Sequence, residues 1–589
     1  MDKLMMWRYG LLPPDSQSAR NEQEARRPQP PPEELRGKIA AMRERGFAEA
    51  DAYPYAPRDA DDAIENYHET LRIVGDVAGN FITPRAEDVD LEGPTLEDGV
   101  VTYAQGTAEA LDRLAKADLM GFTLPRKYGG INMPHTVYSA AIEMVSRADA
   151  ALMTLFGLQD IAETILRFGD DAIKDRYLPR FATGEATGAM ALTEPDAGSD
   201  LQAVMLKATP DPEVEGLWRL NGVKRFITNG CADILVVLAR SEEGTRDGRG
   251  LSTFVAEKGP GLRVRRIEEK LGIHGSPTCE LQFTNCPARL IGRRRFGLIK
   301  ATMDLMNGAR LAIASQGVGI CEAAYREALG YAHAREQFGQ AILHFPAVAD
   351  MLAGMRLKLE LARTLTIDCG VAVDYEKEYE AQMNAGDRDA REHYKKWAKI
   401  ASGLTPLAKY YASEASIELS NNALQILGGS GYMRDYPVER LLRDARITNI
   451  YEGTSQLQVV AALASMLGGS LDPVFEGFAA RAYTGGTAKH APAVAQALEQ
   501  LQQALAYIKK RGERDYTDYV GRTLVDMAID VYHGYRLLQQ GEVSESKALL
   551  ADLFVPTMAR RVAAALAAVT SGERTLLDNY PTLLALPEA

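Results

Sequence analysis

Changes of hydrophobic period divide the chain. From about residue 62 to 190, apolar positions recur at two- to four-residue spacing. Thr136 to Arg167 shows it best, with Ala140, Ile142, Val145, Leu152 and Leu155, and this spacing predicts helices with a buried face. From about 191 to 298 the period shortens. Ile234-Leu235-Val236-Val237-Leu238, Thr253-Phe254-Val255 and Leu281-Gln282-Phe283 read as strands. Asn221-Gly222 lies between two alternating runs and predicts a tight hairpin turn, because both residues tolerate positive φ. From about 299 to 467 helical spacing returns, most clearly over Asn307 to Glu336 and Val348 to Tyr375. Gly468-Gly469-Ser470 and Gly485-Gly486-Thr487 predict a linker over 468–492, followed by Ala-rich helices.

The expected fold class is therefore α+β. A helical domain spans 61–190, a β domain 191–298, a helical bundle 299–467 and a helical extension 468–589. Residues 1–60 hold Pro13-Pro14 and Pro28-Gln29-Pro30-Pro31-Pro32, which predict an extended arm.

Composition narrows the function classes. A chain of 589 residues suggests two or more domains, and 46% hydrophobic with 25% charged residues is ordinary for a globular protein. A net charge of −13 argues against nucleic acid as the main partner. Cys231, Cys279, Cys286, Cys321 and Cys369 are scattered and form no CxxC pair. No disulfide framework and no metal site is expected, and each reads as a small buried apolar residue. No uninterrupted apolar run of about 18 residues occurs, so no membrane span is expected. Leu549 to Val569 is largely apolar, but Pro556 and Arg560-Arg561 divide it, which favours packing against the protein. The N-terminal charges Arg20, Glu22, Glu24, Arg26 and Arg27 mix signs, unlike a targeting peptide, so a cytoplasmic location is expected.

Five short motifs carry candidate chemistry. Thr193-Glu194-Pro195-Asp196-Ala197-Gly198-Ser199-Asp200 offers hydroxyls and close backbone approach, or is an ordinary turn. Phe226-Ile227-Thr228-Asn229-Gly230 offers an aromatic face and a hydroxyl to a planar ring, or is a core strand ending in a turn. Arg335-Glu336-Gln337-Phe338-Gly339 offers a phosphate partner and a stacking ring, or is a helix end with its glycine. Gln425-Ile426-Leu427-Gly428-Gly429-Ser430-Gly431-Tyr432 lacks the spacing of a dinucleotide-binding finger and also reads as a helix-ending loop. In Tyr451-Glu452-Gly453-Thr454-Ser455-Gln456, Thr454 or Ser455 reads as a helix cap, which alone would leave Glu452 a surface acid.

Their joint order and spacing, over roughly residues 100–465, resemble the acyl-CoA dehydrogenase family. The resemblance implies a helical N-terminal domain, a middle β domain and a C-terminal four-helix bundle, with FAD between the last two. By position, Thr193, Gly198 and Ser199 would contact the flavin or its pyrophosphate. Phe226, Ile227 and Thr228 would line its other side. Arg335, Phe338, Gln425 and Gly429 would reach the cofactor of a neighbouring subunit, and Thr454 and Gln456 would complete the cofactor contacts. Glu452 would be the base that takes the α-proton of an acyl-CoA thioester, with the β-hydrogen leaving as hydride to flavin N5. Arg310 matches an arginine near the acyl-CoA site. Electron-transfer flavoprotein is the implied electron acceptor, and a cofactor shared across subunits implies a homo-oligomer.

Some positions depart from the family pattern. Phe345-Pro346 stands where the family often has His-Gln or Phe-Gln. The tail resembles the extended branch that includes long-chain and methylmercaptopropionyl-CoA dehydrogenases, which favours a dimer over a tetramer. Phe156 is expected to floor a short acyl pocket, and Met153 stands where glutaryl-CoA dehydrogenases place an arginine. The competing readings are an acyl-CoA oxidase, or a flavin-bearing DNA-binding protein of the alkylation-response type. The acidic balance weakens the second.

Overall fold

The computed structural model describes residues 47–585. Most of the expected N-terminal arm lies outside them; its described end, rather than being extended throughout, forms one helical turn at Glu49–Ala52.

The N-terminal region is built from α1 (Ala60–Asp76), α2 (Gln105–Lys116), α3 (His135–Ala148), α4 (Ala150–Gly157), α5 (Ile161–Phe168) and α6 (Asp171–Ala182). The long helical period from Thr136 is thus cut into α3, α4 and α5. Asp149 makes the first break: its carboxylate accepts from the Ala151 N–H at 2.8 Å and caps α4.

The middle region holds β1 (Gly188–Ala191), β2 (Lys207–Pro210), β3 (Leu217–Thr228), β4 (Ile234–Arg240), β5 (Leu251–Glu257), β6 (Leu262–Ile267) and β7 (Thr278–Ile291). Pairing runs β4-β2-β3-β7-β5 and returns to β4, so the sheet closes on itself; β1 joins β4 in parallel and β6 pairs β7. The expected hairpin at Asn221-Gly222 does not form. β3 runs straight through it against β7, with a register shift between Leu220 and Gly222. Gly222 has φ +143, and the Asn221 side chain accepts from the Asn285 N–H at 2.9 Å, so the pair makes a bulge, not a turn.

The bundle is α7 (Met303–Ala334), α8 (Pro346–Asn384), α9 (Ala390–Leu427) and α11 (Ser455–Leu467), with α10 (Val438–Thr448) leading into α11. α7 also packs on α3, which locks the bundle to the N-terminal helices.

The extension contains α12 (Asp472–Ala480), α13 (Ala491–Arg511), α14 (Arg514–Gly541) and α15 (Glu545–Thr570). The expected linker is therefore partly helical: α12 buries Phe475 and Phe478 in a core shared by the bundle and the extension, and that burial outweighs its glycine flanks. Glu360, Thr364 and Asp368 repeat every four residues along one face of α8. They bond Lys547 (2.8 Å), Gln540 (3.1 Å) and Tyr532 (2.7 Å) and so dock the extension on the bundle. α15 passes through Pro556 without breaking. It has the length and hydropathy of a membrane span, but Leu550, Phe554, Val555, Met558 and Val562 bury one face, packed on α13 and α14. All five cysteines are free and buried.

Candidate active site

Glu452 lies between α10 and α11. Thr454 accepts from the Leu457 N–H at 3.3 Å and caps α11, so the following helix starts at a defined point. Glu452 and Gly453 both have positive φ, +54 and +88. A glutamate in that region is uncommon and must be held there by its surroundings. The Gly453 carbonyl accepts from Lys409 Nζ at 2.8 Å and from Gln458 Nε2 at 3.0 Å; Gln458 Nε2 also reaches the Glu452 carbonyl at 3.3 Å. Lys409 and Gln458 are buried.

The side chain of Glu452 lines a cleft of about 50 Å³ where three parts of the chain meet. Met153 comes from α4, Met190 from β1, Thr228 from β3, and Ala309 and Ala312 from α7. Tyr451, beside the acid, turns inward and its hydroxyl bonds Gln316 Oε1, while Gln316 Nε2 donates to the Ala150 carbonyl at 3.0 Å. Loop, α7 and α4 are thereby tied together behind the cleft. Phe156 does not form the expected floor. It is 1% exposed and packs on Tyr138 and Phe122, leaving Met153 on the cleft wall.

Burial pushes the Glu452 carboxyl up to about 7, against the opposing pull of the Lys409 and Arg310 charges. Burial likewise pushes the Lys409 ammonium down to about 7, with Glu452 opposing. Arg310 is buried, is lowered by that burial, and donates to Asn307 Oδ1 at 3.0 Å. A carboxylate that titrates near neutrality, beside a small cleft largely lined by apolar groups, is suited to taking a weakly acidic proton.

The flanking β domain presents a planar-ring surface. Phe226 sits in a second bulge of β3, at φ +61, and its ring is 51% exposed with the Arg225 guanidinium 4.7 Å from its centre. The Arg225 N–H donates to the Thr193 carbonyl at 3.0 Å, which brings the Thr193 segment alongside. A Cβ on Gly198 would meet only Thr193, at 3.9 Å, so backbone there is open to close approach. Ser199 is exposed beside it. Ile227 points the other way, into the β-domain core, which corrects its expected place among the cofactor side chains: alternation along a strand sends successive residues to opposite faces. An exposed aromatic plane, threonine hydroxyls and an unobstructed glycine fit a flavin and its phosphates.

Models of the acyl-CoA dehydrogenase N-terminal, middle and C-terminal domains match residues 65–185, 189–286 and 299–467. The chain belongs to the acyl-CoA dehydrogenase family. It is 39% identical over 370 residues to an acyl-CoA dehydrogenase of Bacillus subtilis, covering 62% of this chain and 90% of the relative. It is 34% identical over 434 residues to the 3-methylmercaptopropionyl-CoA dehydrogenase of Ruegeria pomeroyi, covering 69% and 70%. The solved acyl-CoA dehydrogenase of Bacillus anthracis, complexed with FAD, is 23% identical with a TM-score of 0.74 and covers 89% of this chain and 92% of that one, so its fold extends into the C-terminal helices. The family uses FAD, and this acyl-CoA dehydrogenase is a flavoprotein.

Other expected site residues lie away from the cleft. Arg335 closes α7, and Phe338-Gly339 turns a two-residue hairpin between Glu336-Gln337 and Gln340-Ala341 instead of simply ending the helix. Gln425 and Gly429 are exposed at the end of α9, and Gln456 is exposed in the first turn of α11. The Tyr331 hydroxyl bonds Ser430 at 3.3 Å and joins the Arg335 and Gly429 segments into one surface. On it Phe338 is 95% and Tyr432 76% exposed.

Lys409, Gln458 and Gln316 were not singled out by the motifs. Lys409 had a signal: a lone cation among Leu404, Leu407, Ala408 and Ala412 on a helix, where a charge on the apolar face needs a partner.

Proposed function

We propose that the chain catalyses α,β-dehydrogenation of an acyl-CoA thioester to the 2,3-enoyl-CoA, with Glu452 as the base. The observation that carries this is Glu452 itself, held in a left-handed turn at a cleft it shares with Thr228, and titrating near neutrality. FAD supplies the acceptor for the β-hydrogen and its electron pair. Glu452 takes the α-proton as the carbon–carbon double bond forms. Met153, Met190 and Ala312 keep water from the reacting carbons, which strengthens the carboxylate as a base. Arg310 beside Glu452 favours the ionised base, and contact with substrate is part of this reading.

Thr193, Gly198, Ser199, Phe226, Thr228, Thr454 and Gln456 would hold the cofactor of their own subunit. Arg335, Phe338, Gln425 and Gly429 would meet that of a second copy in a homodimer, and the exposed aromatics on that surface support this. Electron-transfer flavoprotein is the proposed electron acceptor.

Anaerobic mixing of the flavoprotein with a panel of acyl-CoAs tests the reading. Glu452→Gln should keep its yellow flavin and bind ligand, but lose flavin reduction by about 10²–10⁴-fold. Reduction at the native rate would remove Glu452 from the chemistry.

A further inference from the structure

Glu452 and Gly453 are successive residues in the left-handed region. Nothing in a glutamate's own preference favours that conformation, so it persists only while other groups restrain the turn.

The restraint comes mainly from one stripe of α9. Lys409, Ser413 and Ser416 are spaced by four and three residues and so face one direction. Ser413 Oγ donates to the Thr448 carbonyl at 3.0 Å, and Ser416 Oγ lies 3.1 Å from Thr448 Oγ1. Next to them, Glu414 accepts from Ser455 Oγ and from Asn449 Nδ2. These contacts grip both ends of the loop. At its centre Lys409 Nζ and Gln458 Nε2 converge on one oxygen, the Gly453 carbonyl. Lys409 is fully buried, and its charged form is unfavourable there unless a hydrogen bond and a nearby negative charge compensate it. The carbonyl supplies the first and the Glu452 carboxylate the second.

We propose that Lys409 and Gln458 are positioning residues for the base: they pin the Gly453 carbonyl, hold the Glu452–Gly453 turn in its left-handed form, and through Lys409 place a positive charge that favours the ionised carboxylate. This rests on Glu452 being the base. The charged and titratable groups around the turn are Arg310 from α7, Lys409 and Glu414 from α9, and Tyr451 within the loop, with Asp444 of α10 beyond it.

The test is the pH profile of flavin reduction at saturating acyl-CoA, measured on wild-type holoenzyme, Lys409→Met, Gln458→Met and Glu452→Gln. Lys409→Met should move the acid limb up by about one pH unit, a roughly tenfold loss at any pH below the limb. Gln458→Met removes no charge; it should lower the rate about tenfold across the profile and leave the limb in place. Lys409→Met that retains flavin and keeps both the wild-type limb and rate overturns the proposal. If that variant does not fold, Gln458→Met decides, and a wild-type rate there overturns it. Full activity of Glu452→Gln would instead overturn the base assignment beneath it.

Discussion

Two turns in this dehydrogenase share a backbone signature and differ in everything else. Phe338-Gly339 has φ +53 and +82; Glu452-Gly453 has +54 and +88. The first is the turn of a minimal hairpin, where paired backbone groups on either side favour this left-handed pair. Its residues are exposed, and a Cβ on Gly339 would meet nothing. The second joins two helices, has no ladder to support it, and is held by side chains from α9 and α11. One conformation can thus be maintained by local pairing where a ring is displayed outward, or by buried donors where a carboxyl group faces a cleft.

Substitutions separate the two cases, and after Glu452→Gln the largest effect is expected at Gly453. A Cβ there would sit 2.7 Å from Gln458 Nε2 on a positive-φ backbone. Gly453→Ala should reduce flavin reduction by about 10²-fold through misplacement of the base. A near-native rate would mean that the turn does not need its clamp.

The pH dependence comes next. With the Glu452 carboxyl raised to about 7, the proposed base is protonated below that pH and ionised above it. kcat/KM for acyl-CoA should therefore fall tenfold per pH unit on the acid side of about 7. A limb centred in the ordinary carboxylate range would show that the free enzyme's base is not buried as described.

Phe338→Ser probes the outward turn. Because the ring is 95% exposed in the single chain, thermal stability of the protomer should change by less than about 0.5 kcal/mol. Gel filtration and flavin absorbance should instead show weaker assembly and cofactor retention. Gly339→Ala should have the smallest effect on function, with activity and assembly retained, although thermal unfolding should show about 1 kcal/mol of backbone strain. A loss of activity as large as that of Gly453→Ala would erase the contrast between the turns.

Much of the layout was legible along the chain. The helical period of Asn307 to Glu336 became α7, and the apolar runs at Ile234, Thr253 and Leu281 became β4, β5 and β7. These segments bury one face or both, so their period reports their structure. Asn221-Gly222 misled because a local turn preference competes with pairing along the whole of β3, and pairing with β7 prevailed. The glycine-flanked 468–492 misled because Phe475 and Phe478 find a core that local composition does not reveal. Ile227 was grouped with its motif, although the strand turns it to the opposite face from its neighbours.

By itself the sequence determined the order of helices and strands, the five motifs and the glutamate they single out, because these depend on side-chain period and on residues at fixed spacing. Only the tertiary structure decided what surrounds that glutamate. Lys409 lies 43 residues before Glu452 and Gln316 lies 136 before it, as their numbers show. Neither can be paired with the loop by spacing, since helix packing alone brings them to it. The same packing leaves the carboxyl only partly exposed and moves its titration toward neutrality. Desolvation is a property of the assembled fold, and no local stretch of residues encodes it.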